Sequence, residues 1–239
     1  MSKLTRRDLK KDEFASTYEG FEQFAKEHYQ ELIGVVVLSA AVAILVVGWR
    51  RYQERQTAAA NALLGQALKT FSAYVGPAAQ GALGVGTQNF PTAAAKYQKA
   101  LQEFNQVAAQ FPRQKAAAIA RYHAGVCQAE LGNHQAAIQT LRVASEMSDD
   151  NLAALAKLAL AGELAATGNL TEAAKIYIHL ESHPTLTVPR ATAMLALADA
   201  YRATQPAKSR QIYEQMQQEF ASNAYLAETL KQQLSSLPP

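Results

Sequence analysis

The sequence of 239 residues predicts an all-α protein, with a single N-terminal transmembrane helix followed by an α-solenoid of about four helical hairpins. Three observations support this fold class. Alanine and glutamine, which favour helices, are abundant, whereas aromatic residues make up only 8% and charged residues only 18% of the chain. An uncharged apolar run lies near the N-terminus, and small residues recur at a fixed spacing in the C-terminal half. A sheet-based enzyme is therefore disfavoured.

The charge balance argues against a nucleic-acid-binding protein. Lysine and arginine total 23 against 20 acidic residues, so the formal net charge is +3. Most of this excess positive charge lies near the apolar run. A nucleic-acid-binding surface would instead need the positive charge along one helix face. The one cysteine, Cys127, excludes an intramolecular disulfide and does not report the redox compartment.

The apolar run extends from Leu32 to Gly48 without a charged residue and would span about 25 Å as a helix, at ~1.5 Å per residue. Tyr29 precedes it, and the aromatic and cationic residues 49–52 follow it, as is typical of membrane interfaces. A buried core helix and a cleaved signal peptide are the alternatives. The small residues 41–43 that could form a cleavage site lie inside the run, so we favour an uncleaved anchor over residues 32–49.

The orientation of this anchor depends on which cations are counted. The segment before it carries six lysines and arginines, whereas Arg50, Arg51 and Arg55 lie directly after it. The whole-tail count places the N-terminus in the cytoplasm, and the count next to the membrane gives the opposite result. We favour a cytoplasmic tail over residues 1–31, with an interfacial helix from about Tyr18 to Glu31.

The C-terminal half contains an internal repeat of 37 residues. Ala100, Ala137 and Ala174 are separated by this spacing, and Gly125 and Gly162 repeat it. A small residue where two helices cross lets their backbones approach, so this period predicts a solenoid of two-helix units. We expect a helical stalk over residues 50–75, a Gly-rich loop over 76–91, and a repeat domain with a C-terminal capping helix over 92–239.

The expected helices follow from the apolar periodicity and from the Gly, Pro and Asn residues that interrupt it. The first runs from about Phe21 through the membrane to near Gln56, with its continuation to Tyr74 left open. The others cover about 93–111, 115–131, 134–147, 151–166, 171–182, 188–203, 206–220 and 223–236.

These markers resemble the tetratricopeptide repeat. Gly125 and Gly162 match its small position in the first helix, the three alanines match its small position in the second, and Pro112 and Pro184 fall near its terminal proline. The sequence departs from that pattern because no tryptophan occupies the early position. The Gly-rich stretch 76–91 separates the leading helix of the first repeat from its partner, and a fourth block that includes Ser209 lacks both the Gly and the Ala marker. Two repeats are therefore regular and two are degenerate.

The overall architecture is similar to the YfgM-type ancillary subunits of the SecYEG translocon. The residues that carry this resemblance are Gly48-Trp49-Arg50-Arg51-Tyr52, after the membrane helix, and the small positions of the repeats. The resemblance implies a bacterial inner-membrane protein with its repeats in the periplasm. Its implied partners are the Sec translocon, a membrane-anchored prolyl isomerase or secretory client chains. The charged tail is longer and more basic than that family suggests.

The sequence offers little catalytic chemistry. His123 and Cys127, and also His179 and His183, are four residues apart, but a zinc site needs three or four ligands and none is patterned nearby. Glu163 is a lone carboxylate in an apolar helix, without an acid partner. We therefore expect no enzymatic activity, no metal, no cofactor, no small-molecule substrate and no nucleic acid.

The predicted functional surface is the concave face formed by the first helix of each repeat, which suits an extended or amphipathic peptide. The alternative is that these side chains form the core between repeats. Two functions remain open: a translocon-associated chaperone that binds passing chains, and a structural subunit that clamps a larger membrane complex. The predicted groove residues are Ile119, Tyr122, Val126, Glu163, Met194, Ala198 and Tyr201.

Overall fold

The computed structural model describes residues 28–76 and 89–237. The predicted tail with most of its interfacial helix, and the central part of the predicted Gly-rich loop, lie outside the described residues. The described chain is predominantly helical, which confirms the all-α prediction. By its internal contacts the chain divides into one unit that ends at Arg55 and a second that begins at Gln56.

Helix α1 covers Tyr29–Phe71 and belongs in part to each unit. Among the residues described, two short strands follow, and then eight helices, all of which begin and end within two residues of the predicted positions. The elements after α1 are β1 (Tyr74–Val75), β2 (Asn89–Phe90), α2 (Ala93–Gln110), α3 (Lys115–Glu130), α4 (His134–Ser145), α5 (Asp150–Ala166), α6 (Leu170–Ser182), α7 (Arg190–Tyr201), α8 (Pro206–Glu219) and α9 (Ala224–Ser235).

The first unit contains the apolar part of α1. Large side chains such as Ile44 and Leu45 are each 72% exposed, and none of the most apolar stretch is buried within the protein. Among the residues described, α1 is the one helix that is long and apolar enough to cross a bilayer. A core helix of a soluble domain would instead bury these side chains, because exposed apolar surface is unfavourable in water.

The second unit is a stack of antiparallel helical hairpins, in which each helix from α2 onwards packs against the next along the chain. The last part of α1 is the first helix of this stack, since Ala60, Leu64 and Ala67 are buried together with Phe104 and Val107 of α2. Part of the segment that we expected to be a stalk is therefore packed against the repeats. Its apolar positions recur at three-to-four spacing, as in any amphipathic helix that faces a core.

One side of the stack is formed by the first helices of successive hairpins. Helix α3 contacts α5, and α5 contacts α7, in addition to their hairpin partners. No contact of comparable extent joins α4 to α6 or α6 to α8 within the described part of the chain. The first helices therefore lie closer together than the second helices do, which places them on the inner side of the stack.

Two glycines end the first helices of the two regular repeats. Gly132 and Gly168 have φ angles of +76° and +87°, in the left-handed region that favours glycine. After Gly132, the amide of Asn133 donates to the carbonyl of Gln128 over 2.9 Å. The same 6→1 bond, of 2.8 Å, joins Asn169 to Leu164 after Gly168. Both turns are Schellman motifs, which satisfy carbonyls that a helix end leaves unpaired.

Strands β1 and β2 form a small parallel pair that the sequence did not predict. Tyr74 lies opposite Asn89, and Val75 lies opposite Phe90. The amide of Gly76 donates to the carbonyl of Phe90 over 3.0 Å, and the Asn89 side-chain amide donates to the carbonyl of Gly76 over 2.8 Å. The two ends of the predicted Gly-rich loop are thus held side by side.

Candidate protein-binding face

An apolar stripe of three partly buried side chains runs along α3. Ile119, Tyr122 and Val126 are each half-buried and share one helical face, since they are spaced by three and four residues. Ile119 packs partly against a cluster of buried residues from α1, α2 and α3, and Tyr122 packs against a second cluster, from α4 to α7. Burial raises the pKa of the Tyr122 hydroxyl, so this group remains a neutral hydrogen-bonding group at physiological pH.

The neighbouring first helix, α5, carries a charged group at the position equivalent to Val126. Glu163 follows Val126 by one repeat of 37 residues, and its Oε2 lies 2.8 Å from Nδ1 of His134 at the start of α4. The carboxylate accepts this hydrogen bond from the imidazole. Its side chain is 18% exposed, and that of His134 is 47% exposed. The pair therefore forms a partly exposed polar point that joins α5 to α4.

Two of the predicted groove residues lie in the core instead. Met194 is 1% exposed and Ala198 is fully buried. Both belong to a cluster with Tyr213 of α8 and Leu230 of α9. They have no surface to offer a ligand because α8 and α9 cover this side of α7, so here the alternative of core packing is correct. Tyr201 is half-buried against the cluster of buried residues from α4 to α7. Nζ of Lys208 lies 5.2 Å from the centroid of its ring.

A polar network that the sequence analysis missed joins the last three helices. The hydroxyl of Tyr213 donates to Asp199 Oδ1 over 2.6 Å, and Nη2 of Arg202 lies 3.2 Å from the same hydroxyl. Arg202 also donates to Gln233 and, through Nη1, to Ser236 at 3.2 Å. The pKa of Tyr213 is raised by burial and by its hydrogen bond to Asp199. The sequence signal for this network was Asp199, near the end of the mostly apolar helix α7, together with Arg202 three residues later.

The two candidate metal pairs considered from the sequence are packed differently. The ring of His123 stacks on Phe104 at a centroid distance of 5.1 Å, and burial lowers its pKa. Cys127 is fully buried, and burial, with a smaller contribution from Glu130, raises its pKa to about 12. The thiol is therefore protonated and is not an active nucleophile. Within residues 28–76 and 89–237, no group of three or more His, Cys, Asp or Glu side chains could hold a metal ion.

The second pair, His179 and His183, stacks at 4.6 Å on the exposed side of α6. The pKa of His179 is lowered by partial burial, and further by electrostatic repulsion from Lys157 and His183. Lys157 Nζ lies 3.4 Å from His179 Nε2. A cation next to the imidazole opposes the approach of a metal ion, so this pair has the features of a surface contact rather than of a ligand set.

The hairpin stack, its glycine-ended first helices and its face of half-buried apolar side chains define a helical-repeat protein of the protein-interaction class. In a comparison with known protein families, residues 22–184 match the tetratricopeptide repeat-like domain. The chain belongs to this family, whose domains are generally protein-binding modules without catalytic activity. No curated protein and no solved structure matches the chain.

Proposed function

We propose that the protein is a membrane-anchored module that binds other polypeptides on the inner side of its hairpin stack. The observation that carries this proposal is the stripe of Ile119, Tyr122 and Val126, which is half-exposed on a first helix. Tyrosine and aliphatic side chains on one rigid helix bind a peptide mainly through apolar contact. Glu163, held by His134, adds a charged group next to this stripe that can orient the bound chain.

We further propose that the repeats lie in the periplasm of a bacterium and that the bound polypeptides are secretory chains leaving the Sec translocon. The support for this finer proposal is the resemblance to the YfgM-type subunits, together with one apolar helix that can anchor the protein beside the channel. On this proposal the translocon itself and a membrane-anchored prolyl isomerase are the neighbouring partners. The protein would act as a chaperone or scaffold without a reaction of its own.

Site-specific crosslinking in native membranes tests this proposal. A photoreactive phenylalanine analogue would replace Tyr122 on the inner side or, as the matched control, Val143, which is 61% exposed on the second helix α4. The proposal expects crosslinks from position 122 to polypeptides of many sizes, enriched in secretory proteins, and few from position 143. One stoichiometric membrane partner would support the structural-subunit alternative. Equal crosslinking from both positions would contradict binding at the inner face.

A further inference from the structure

A basic cleft lies outside the inner face, at the edge of the stack where the connections between hairpins are found. It lies between the start of α3 and the start of α5 and has a volume of about 570 Å³. This size is within the range of ligand-binding clefts. The side chains that give the cleft its character are Arg113, Lys115, Arg121, Met147, Asp149 and Leu152.

The cleft has more positive than negative charge. Asp149 is its one acidic residue, and it is already engaged: its Oδ2 lies 2.7 Å from Nζ of Lys115, and its Oδ1 accepts the amide of Leu152 over 3.2 Å. Arg113 and Arg121 have no ion-pair partner within the described part of the chain. Two guanidinium groups therefore remain available for an external carboxylate.

Three other arginines of the stack provide a contrast. Arg142 pairs with Glu172 at 2.8 Å, and Arg190 pairs with Glu181 at 2.9 Å. Arg202 takes part in the network around Tyr213. These guanidinium groups link neighbouring helices, as bidentate hydrogen-bond donors commonly do. Arg113 and Arg121 make no such link, so the packing of the hairpins does not account for their presence in the same cleft.

The walls of the cleft indicate the chemistry of the ligand. Half-buried Met147 and Leu152 provide apolar surface next to the guanidinium groups. A glutamate side chain combines a methylene stem with a terminal carboxylate, so it can contact both kinds of surface at once. The cleft is open along the edge of the stack, which suits an extended peptide more than an enclosed small molecule.

We propose that this cleft binds an acidic peptide segment of a partner protein, with glutamate carboxylates paired to Arg113 and Arg121. The site is separate from the inner face, so the protein would hold an acidic partner at its edge while the apolar stripe remains accessible. Because the contacts are charge-assisted and solvent-exposed, the affinity falls as salt concentration rises.

The test uses the full chain in nanodiscs of phosphatidylcholine and a fluorescent peptide that alternates glutamate with alanine. The matched probe has glutamine in place of each glutamate. The test variant is R113Q with R121Q. The control is K175Q with K231Q, which removes the same charge from exposed positions on α6 and α9 that do not line the cleft. Circular dichroism melting of both variants checks that the fold is retained.

The proposal expects the glutamate peptide to bind at least about tenfold more tightly than the glutamine peptide. It expects a loss of about tenfold or more for the R113Q and R121Q variant, and a change below about twofold for the control. Equal binding of both peptides, or an equal loss in both variants, would overturn it. Two further outcomes would also overturn it. If inorganic phosphate displaces the peptide more than chloride does at the same ionic strength, the ligand is a phosphate group. If the protein binds phosphatidylglycerol vesicles in preference to the peptide, the ligand is a membrane surface. The two proposals can fail independently of each other. A Tyr122→Ala variant, which alters the inner face, should bind the acidic peptide as tightly as the wild type does, whether or not the inner face binds polypeptides.

Discussion

Gly125 of α3 and Leu141 of α4 approach each other so closely that a β-carbon at position 125 would lie 2.7 Å from both Cγ and Cδ2 of the leucine. Leu141 is fully buried, so its side chain has no free space into which to move. The glycine is therefore required by the crossing of the two helices. Gly162, one repeat later, occupies the same sequence position with more space, because its nearest neighbour is the Tyr177 hydroxyl at 3.8 Å.

This difference predicts opposite effects of the same substitution. Gly125→Ala should lower the free energy of unfolding by about 1–3 kcal/mol, because overpacking outweighs the better helix propensity of alanine. Gly162→Ala should leave stability unchanged or raise it by up to about 1 kcal/mol. Urea unfolding of the full chain in detergent, followed by circular dichroism, measures both. Equal destabilisation by the two variants would contradict the difference in packing.

The two Gly-Asn turns give a second matched pair. The Asn169 side chain accepts the amide of Glu172 at the start of α6 and donates to that residue's carboxylate over 2.8 Å. Asn133 holds the equivalent position before α4 but makes no side-chain cap. Asn169→Ala should therefore cost about 1 kcal/mol of stability, and Asn133→Ala clearly less. The same unfolding measurement applies, and a larger loss for Asn133→Ala would refute the assignment of the cap.

The buried imidazole of His123 predicts a loss of stability in mild acid. Phe71 and Phe104 each lie 5.1 Å from its ring, and its Nδ1 is buried with no hydrogen-bond partner among the residues described. Burial lowers the pKa of His123 in the folded state below its ordinary value of about 6.5. Stability is therefore complete above about pH 6.5 and declines below it, as the unfolded chain takes up a proton that the folded chain resists.

Thermal melting between about pH 7.5 and about pH 5 measures this decline. His123→Phe keeps an aromatic ring in the same apolar site and should show a smaller decrease in Tm with falling pH than the wild type. His179, whose folded-state pKa is also lowered, acts in the same direction. His179→Gln is therefore compared in parallel so that the two contributions can be separated. Identical pH profiles for the wild type and His123→Phe would exclude the role of His123.

The hydroxyl of Tyr213 should contribute measurably to the C-terminal end of the stack. Tyr213→Phe removes the 2.6 Å hydrogen bond to Asp199 and the contact with Arg202 while it preserves the packed ring. We expect a loss of about 1 kcal/mol in unfolding free energy. Tyr225→Phe is the control, because Tyr225 is 86% exposed. If both variants match the wild type, the network does not stabilise the stack.

The proposed orientation in the membrane can be tested directly with reporter fusions after Pro239. A periplasmic repeat domain predicts activity of an alkaline phosphatase fusion and no fluorescence from a reporter that folds only in the cytoplasm. The opposite pattern would show that Arg50, Arg51 and Arg55 determine the topology. Substitution of these three arginines by glutamine then gives a further check, since on the favoured orientation it leaves the topology unchanged.

The sequence was sufficient to predict the helices of the stack because local signals determine them. The Gly-Asn turns, the period of 37 residues and the apolar spacing all act within one or two hairpins. Ser209, which belongs to the block that we interpreted as a degenerate repeat, is buried together with Tyr213 and Met216 of the same helix. The last part of α1 also follows from a local signal. Its residues Ala60, Leu64 and Ala67 recur at three-to-four spacing, and they are buried in the first hairpin.

The sequence was not sufficient to separate the inner face from the core. A first helix in a solenoid has neighbours on several sides, so Ile119 and Met194 both satisfy a helical apolar pattern although one is half-exposed and the other is buried. The packing of α8 and α9 decides the burial of Met194. The same limit applies to the basic cleft, because Arg121 and Asp149 are brought together only when α3 and α5 are stacked.

The parallel pairing of β1 with β2 holds Gly76 and Asn89, the residues on either side of positions 77–88, next to each other. Because the strand pair already joins the two ends, the number of residues between them can change without altering the packing of α1 on α2. Each doubling of the length of this connection costs only about 0.6 kcal/mol in chain entropy. An affinity handle or a fluorescent domain can be grafted there without displacing either helix. The same graft in the short connection 111–114 would push apart two hairpins that pack directly against each other.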